Sequence, residues 1–134
     1  MSILKTKIAL ETRLVANFPA IQIAPEGVTF FTPSGSYFRV NLQVNRPDDP
    51  VLGSLYRREN ITFQVFCVTD SNKGTAAALT LAEQVADVYR RGTFISVDNL
   101  RIHVFNTPQV GSVVVADNRL VVPVLIPVTV EVQV

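Results

Sequence analysis

The stretch RLVVPVLIPVTVEVQV, residues 119–134, closes the sequence and decides the fold. Its even positions from Leu120 to Val134 are all apolar, which is the period of 2 expected for a β-strand with one buried face. The odd positions mix apolar and polar residues and become polar only near the end. We therefore expect a long final strand whose even face lies in the core.

Two prolines, Pro123 and Pro127, occupy odd positions of this stretch. In an antiparallel strand, residues of equal parity direct their N–H and C=O groups to the same side, so both missing donors fall on one side. The other side can pair along its whole length. The pattern predicts an edge strand whose proline side stays unpaired or meets something other than a regular ladder.

The length of the stretch also favours contact with another subunit. A fully extended strand over 119–134 would reach about 50 Å, whereas usual strands reach about 17 to 20 Å. We therefore expect part of it to project or bend onto a neighbouring subunit, with Val121 and Leu125 buried there. The alternative is an internal, bent strand on which these two residues are partly exposed.

The rest of the sequence predicts two helices and several further strands. Helical spacing predicts helices over 2–17 and 74–91. In the first, Leu4, Ile8, Glu11, Val15 and Phe18 have this spacing, with Leu14 beside them. Alternation of apolar and polar residues predicts strands over 37–44, 61–67 and 100–105, and another extended run from Val113. We expect one α+β domain, residues 1–134, with a mainly antiparallel sheet of four or more strands and two helices packed on one face.

Composition limits the possible functions. With 48% hydrophobic and 17% charged residues, the chain has enough apolar side chains for one core. Its net charge of +1 is too small to attract nucleic acid or acidic membranes by electrostatics alone. No segment reaches about 18 uninterrupted apolar residues, so we expect no membrane span. The single cysteine, Cys67, excludes an internal disulfide and suits a reducing cytoplasm.

The sequence contains no recognisable set of catalytic or ligand-binding residues. It has no glycine-rich phosphate loop, no His-Glu-x-x-His motif and no second histidine beside His103. Asp48 and Asp49 lie between prolines, as in a solvated loop tip. The arginines are scattered among acids without an aromatic row, which argues against specific nucleic-acid recognition. We predict no enzyme, no catalytic residue, no cofactor and no metal.

The chain resembles the tail terminator proteins of long-tailed bacteriophages, of the lambda-like siphophage kind. The resemblance lies in three sequence segments that follow one another in the same order as in that family. These are IAPEGVTFFTPSGSYFRVNL at 23–42, LGSLYRRENITFQVFCV at 52–68 and KGTAAALTLAEQVADVYRRGTF at 73–94. Asn60 stands where relatives often carry a glycine. Because asparagine tolerates the left-handed region best after glycine, we expect the turn to be kept there.

The resemblance implies a protein that assembles as a six-fold ring on the last ring of the tail tube. It would stop tube polymerisation and offer a surface to the head-completion or connector protein, while DNA passes through the ring. It would be assembled in the host cytoplasm and reside in the virion at the head–tail junction. Two alternatives stay open: a head-completion or stopper protein of the same junction, and a small enzyme or ligand-binding domain.

Three surfaces are the predicted contacts of this assembly, with plain solvent exposure as the alternative for each. The C-terminal strand is expected at a subunit boundary through Val121, Leu125 and Pro127. The loop over 46–59 is expected to face the tube or a neighbour, because long loops on a rigid scaffold usually carry recognition. Its candidate residues are Asp48, Asp49, Leu55, Tyr56 and Arg57. Arg101 and His103 lie on the non-core face of their predicted strand and are expected on the inner wall of the ring or against the next subunit.

Overall fold

The computed structural model describes residues 2–24, 35–45, 56–70, 74–116 and 118–133. Within these residues, helices α1 (Ser2–Asn17) and α2 (Gly74–Val88) accompany one sheet of eight strands. The strands are β1 (Gln22–Ala24), β2 (Tyr37–Val44), β3 (Tyr56–Asp70), β4 (Phe94–Val97), β5 (Leu100–Val104), β6 (Gln109–Val110), β7 (Val114–Ala116) and β8 (Arg119–Gln133). The predicted α+β class is confirmed.

The strands lie in the order β1-β2-β3-β8-β5-β4, and β6 and β7 also pair with β8. β1 runs parallel to β2, with Gln22 opposite Tyr37, whereas the other ladders are antiparallel. The sheet is therefore mixed, with one parallel ladder that alternation within a strand does not reveal. Neither helix of the described chain has the length and apolar character that crossing a membrane requires.

β8 is a central strand, and its predicted position at the edge of the sheet is wrong. On one side it pairs with β3 along its full length, from Gln133 opposite Tyr56 to Arg119 opposite Asp70. On the other side three short strands pair with it in turn, β7 at 119–121, β6 at 124–125 and β5 at 128–132. No end of β8 projects from the sheet within these ladders. The internal strand, kept above as the alternative, is what the structure shows.

The two prolines of β8 lie at the gaps between its three short partners. The carbonyl oxygen of Pro123 accepts a hydrogen bond from the N–H of Gly111 over 2.8 Å, so the polar groups of this proline face the side of β6. Pro127 has the same parity and directs its missing donor to the same side. On this side of β8 the ladder of backbone hydrogen bonds is therefore interrupted at both prolines. Such irregular pairing was expected from the positions of the two prolines.

The even face of β8 forms the centre of the core, as predicted. Its residues from Leu120 to Val132 are at most 5% exposed. The buried side chains of α1 and α2 belong to the same cluster as this face of the sheet. Helices and sheet therefore share one hydrophobic core.

The face of α1 that enters the core differs from the prediction. Thr6, Leu10 and Leu14 are fully buried. Of the residues predicted to form the apolar face, Leu14 is buried and Phe18 packs against the core, whereas Leu4 (60%), Ile8 (54%) and Val15 (52%) are exposed. The 3.6-residue period finds apolar faces but does not tell which of two faces meets the sheet.

α2 buries one face, at Ala78, Leu81, Ala82 and Val85, and the contacts at its end hold α1 in place. The Tyr89 hydroxyl donates a hydrogen bond to the carbonyl oxygen of Leu10, and its ring packs edge-on against Phe63 with centroids 5.7 Å apart. Burial raises the pKa of Tyr89 well above its ordinary value. The Arg13 guanidinium lies 6.0 Å from the centroid of the Tyr89 ring, and Nε of Arg13 donates to the carbonyl oxygen of Val88 over 3.0 Å.

Candidate assembly surface

The face of the sheet opposite the core carries most of the predicted contact residues that the structure describes. It consists of the odd residues of β8 and β5 and the even residues of β3, which alternate with the buried ones. We call it the outer face. On β8 its partly exposed side chains are Arg119, Val121, Pro123, Leu125, Pro127, Thr129 and Glu131.

The middle of the outer face is apolar. Phe66 of β3 lies opposite Pro123, and Leu125 and Pro127 follow along the same face of β8. We call these four residues the apolar centre. The nine residues 120–128 are all apolar, which is typical of a strand covered on both faces rather than one. β8 therefore carries the side chains that a second covering layer would contact.

Sequence reasoning missed Phe66 and Pro123 as members of this surface. The signal was present in the parity of Phe66, which is opposite to that of the buried Phe63 and Val65 on the same strand. What the sequence lacked was the register, since only the pairing of β3 with β8 places Phe66 across from Pro123.

Val121 is already packed within its own subunit. It contacts a second, small cluster made of Ala24, Tyr37 and Val68. The register places Tyr37, Val68 and Val121 side by side on the outer face of β2, β3 and β8. Packing inside the chain thus explains the partial burial of Val121. Its position at a subunit boundary stays a prediction.

One end of the apolar centre carries a row of charged side chains across β3, β8 and β5. Nη2 of Arg58 lies 3.9 Å from Oε1 of Glu131, and Arg101 stands opposite Glu131 in the β5–β8 register. Glu131 therefore has an arginine as its register partner on each neighbouring strand, Arg58 on β3 and Arg101 on β5. Such exposed ion pairs contribute only about 0 to 1 kcal/mol to stability, so the row adds little to the stability of the fold.

His103 lies beside this row on the same face. Its side chain is exposed, and its ring centroid is 6.3 Å from that of Phe94, which is 54% exposed. The prediction that Arg101 and His103 point away from the core is confirmed by the burial pattern of β5. Their contact with an inner ring wall or with a neighbouring subunit stays a prediction.

At the other end of the apolar centre, Arg119 contacts three neighbouring residues. Its Nη1 donates a hydrogen bond to the carbonyl oxygen of Gly35 over 2.7 Å and lies 3.8 Å from Oδ1 of Asp70. The same guanidinium lies 5.5 Å from the centroid of the Tyr37 ring. An apolar centre between polar ends is the usual anatomy of a protein interface.

Residues 56–59 of the loop predicted over 46–59 belong to a strand. Tyr56 and Arg57 belong to β3, whose pairing with β8 begins at Tyr56. Asn60 lies inside the same strand, opposite Thr129, and is not among the described residues with positive φ, so the turn predicted there is wrong. Three predicted contact residues of the loop lie outside the described residues: Asp48, Asp49 and Leu55.

The described part of the chain offers little for acid–base or metal chemistry. It brings together no group of three histidine, cysteine, aspartate or glutamate side chains that could hold a metal ion. Cys67 is buried, and burial raises its pKa to about 12, so its thiol stays protonated at neutral pH. An open groove beside α2, at Ser36, Thr69 and Thr80, is lined by no titratable side chain.

Comparison with known proteins places the fold and the family. A solved protein structure matches with a TM-score of 0.73 and 23% sequence identity, covering 100% of this chain and 97% of that chain. At this identity the match shows the fold alone. No curated protein matches the sequence. The family model described as "Phage tail terminator protein" matches residues 5–128. The chain therefore belongs to the phage tail terminator family.

Proposed function

We propose that the chain ends the growth of a phage tail tube. It closes into a six-fold ring on the last ring of the tube, stops polymerisation there and presents a surface to the head connector. The family match over residues 5–128 supports the role in the tail. The observation that carries the assembly step is the apolar centre of the outer face, on a central strand that is apolar on both faces.

In this proposal α1 and α2 both cover the core face, and the outer face is left for assembly. The buried side chains of the two helices fall in the core cluster, and the small cluster at Val121 contains none of them. A sheet of this kind is stable when each apolar face packs against another layer. Here a neighbouring protein supplies the layer over the outer face.

The charged row at Arg58, Glu131 and Arg101 fixes the register of that contact. Complementary charges around an apolar centre orient a partner and raise the rate of association more than they raise affinity. Arg101 and His103 then face the inner wall of the ring or the next subunit. The partners are copies of this chain, the tail tube protein and the head-completion protein, and the chain acts as a structural part of the virion tail rather than as an enzyme.

A head-completion or stopper protein of the same junction is the nearest alternative. It would share the small size and the assembly surface, but it would bind the head connector rather than the end of the tube. The match to a tail terminator family supports binding to the end of the tube rather than to the head connector. Mixing the chain with isolated portal and with tail tubes separates the two, since a terminator binds tubes and leaves portal unbound.

The proposal is tested by polymerising tail tube protein with and without the chain and measuring tube lengths by electron microscopy. Wild-type chain is expected to shorten the tubes and to leave a cap at one end. Leu125→Arg should lose capping, whereas Leu79→Arg, the same change at a leucine of α2 that is 37% exposed, should keep it. Tubes of unchanged length in excess wild-type chain would contradict the proposal.

A further inference from the structure

A groove of about 420 Å³ lies between the flank of α2 and one end of the sheet. Its sheet wall is made of Ile21, Ser36 and Thr69, which lie at the ends of β1, β2 and β3. Its helix wall follows α2 from Ala76 to Gln84. A volume of this size is within the usual range of ligand sites, about 300 to 1,000 Å³. We call it the α2 groove.

The α2 groove is separate from the outer face. Thr69 pairs with the buried Leu120 and has the parity of Phe63 and Val65, whose side chains lie in the core under the helices. The groove therefore opens on the side of the sheet that carries α2, opposite the apolar centre.

The hydroxyl of Thr69 has no hydrogen-bond partner within the described part of the chain, although it is buried. Thr69 is 2% exposed, and its Oγ1 is cut off from solvent. A buried hydroxyl without a partner destabilises a fold, because it has given up its hydrogen bonds to water. Its position on the wall of a groove points to a ligand that supplies the missing bond.

The other polar groups of the α2 groove are uncharged. They are the hydroxyls of Ser36 and Thr80 and the side-chain amide of Gln84, and the described lining contains no acidic, basic or aromatic side chain. Phosphate and carboxylate groups are usually bound by arginine or lysine, and nucleobases stack on aromatic rings. The composition of the groove thus argues against an anion and against a nucleotide.

A peptide backbone matches this lining. Hydroxyl and amide side chains both donate and accept hydrogen bonds, and each peptide residue offers one N–H and one C=O. Ile21 and Leu81 add apolar surface for small side chains, and Ala76 and Ala77 carry only methyl groups, which leaves room for close approach to α2.

The length of the groove sets the length of the peptide. The helix wall spans about 12 Å from Ala76 to Gln84 at 1.5 Å per residue. An extended chain advances about 3.3 Å per residue, so about four residues fill this wall.

We propose that the α2 groove binds an extended, uncharged peptide segment of a partner protein, and that the Thr69 hydroxyl bonds the backbone of this segment. The inference goes beyond the proposed function and does not depend on it, because capping of tubes was assigned to the outer face. It can be tested on the isolated full-length chain, without tail tubes.

Thr69→Val separates binding from stability, because valine keeps the shape of threonine and removes only the hydroxyl. Loss of a hydroxyl without a partner should raise the midpoint of urea unfolding at an unchanged slope. Thr6→Val is the matched control, since Thr6 is also buried but its hydroxyl is hydrogen-bonded. This second variant should lower the midpoint. A lower midpoint for Thr69→Val as well would show that its hydroxyl is already bonded within the chain, and would overturn the inference.

Binding is measured by nuclear magnetic resonance on the isotope-labelled chain, titrated with the tetrapeptide acetyl-Ala-Ser-Ala-Val-amide. Saturable shifts are expected at the amides of Thr69, Ala77 and Thr80. Thr69→Val should weaken the affinity about 2- to 12-fold, the loss of one hydrogen bond, whereas Thr6→Val should leave it unchanged. Equal affinity of wild type and Thr69→Val, or no saturable shift at these residues up to millimolar peptide, would overturn the inference.

Filling the groove gives an independent test. Ala77→Phe should abolish binding of the tetrapeptide, whereas Leu79→Phe, on the same helix but outside the groove, should keep it. The thermal transition of each variant is first checked to show that it is folded. Binding that survives in folded Ala77→Phe would contradict the proposed site. Glucose serves as an uncharged ligand without a peptide backbone, and equal shifts with glucose would contradict the assignment to a peptide.

Discussion

Gly111 donates its backbone N–H to the carbonyl oxygen of Pro123 over 2.8 Å, and a Cβ built on Gly111 would stand 2.7 Å from Cγ of that proline. The glycine therefore lets β6 approach the first gap in the ladder of β8. A methyl group at this position would push against a rigid ring on the central strand. The close approach explains why a residue without a side chain stands here.

Gly111→Ala is expected to destabilise the protein by about 1 to 3 kcal/mol, the usual cost of forcing a group into a packed site. Urea unfolding measures the change as a lower midpoint with an unchanged slope. Gly35→Ala is the matched control, because a Cβ there would meet nothing within 4 Å. Equal midpoints for the two variants would show that the contact with Pro123 is looser than described.

Cys67 makes stability fall with rising pH in the alkaline range. Its pKa is raised from 9.0 to about 12 by burial. Between these values the unfolded chain releases the thiol proton while the folded chain keeps it, so unfolding is favoured by up to about 1.4 kcal/mol per pH unit. Below pH 9 both states hold the proton and the effect vanishes.

The comparison of wild type with Cys67→Ala isolates this contribution, because the alkaline effect of buried Tyr89 is common to both. Unfolding free energies from urea titrations should fall more steeply above pH 9 in wild type than in the variant. Parallel curves for the two proteins would mean that the thiol is reached by solvent in the folded state.

Tyr89→Phe should cost about 0.5 to 1.5 kcal/mol, because it removes the hydrogen bond that the buried hydroxyl donates to the carbonyl oxygen of Leu10. The ring and its edge-on contact with Phe63 are kept, so the loss reports the hydroxyl alone. Thermal unfolding monitored by circular dichroism measures the effect. A transition at the wild-type temperature would show that the hydroxyl does not hold α1 against the end of α2.

Deletion of residues 129–134 is expected to unfold the protein rather than only weaken a ring. Val130 and Val132 are 0% and 4% exposed, and their burial contributes about 3 to 6 kcal/mol in total. The deleted residues also pair with β3 on one side and β5 on the other. Far-ultraviolet circular dichroism should show loss of structure. A folded truncated monomer would contradict the central position of β8.

The sequence predicted the faces of β8 but not its neighbours. Side-chain parity is a property of one strand, so the buried row from Leu120 to Val132 could be predicted from the alternation alone. Lateral pairing depends on other segments. Three short strands pair with β8, one before, one between and one after its two prolines. Two of the short strands of the sheet, β4 and β6, have only four and two residues and so show no clear period.

The same limit explains the error in α1. The helix has one apolar face through Leu10 and Leu14 and another through Ile8 and Val15, and both have helical spacing. Only the tertiary structure decides that the first enters the core.

Of the predicted contact residues, Arg101, His103, Leu125 and Pro127 come together on one face because β5 and β8 are neighbours. Parity alone predicted that Arg101 and His103 avoid the core. The charged row with Arg58 and the apolar partner Phe66 depend on the register with β3, which no local pattern contains.

The mass of the native assembly, measured over a range of chain concentrations with and without tail tube protein, tests the central claim most directly. We predict a discrete ring made of several 14.7 kDa chains, populated at high concentration or on the ends of tubes. A mass of one chain under every condition, with no chain retained on sedimented tubes, would contradict the account.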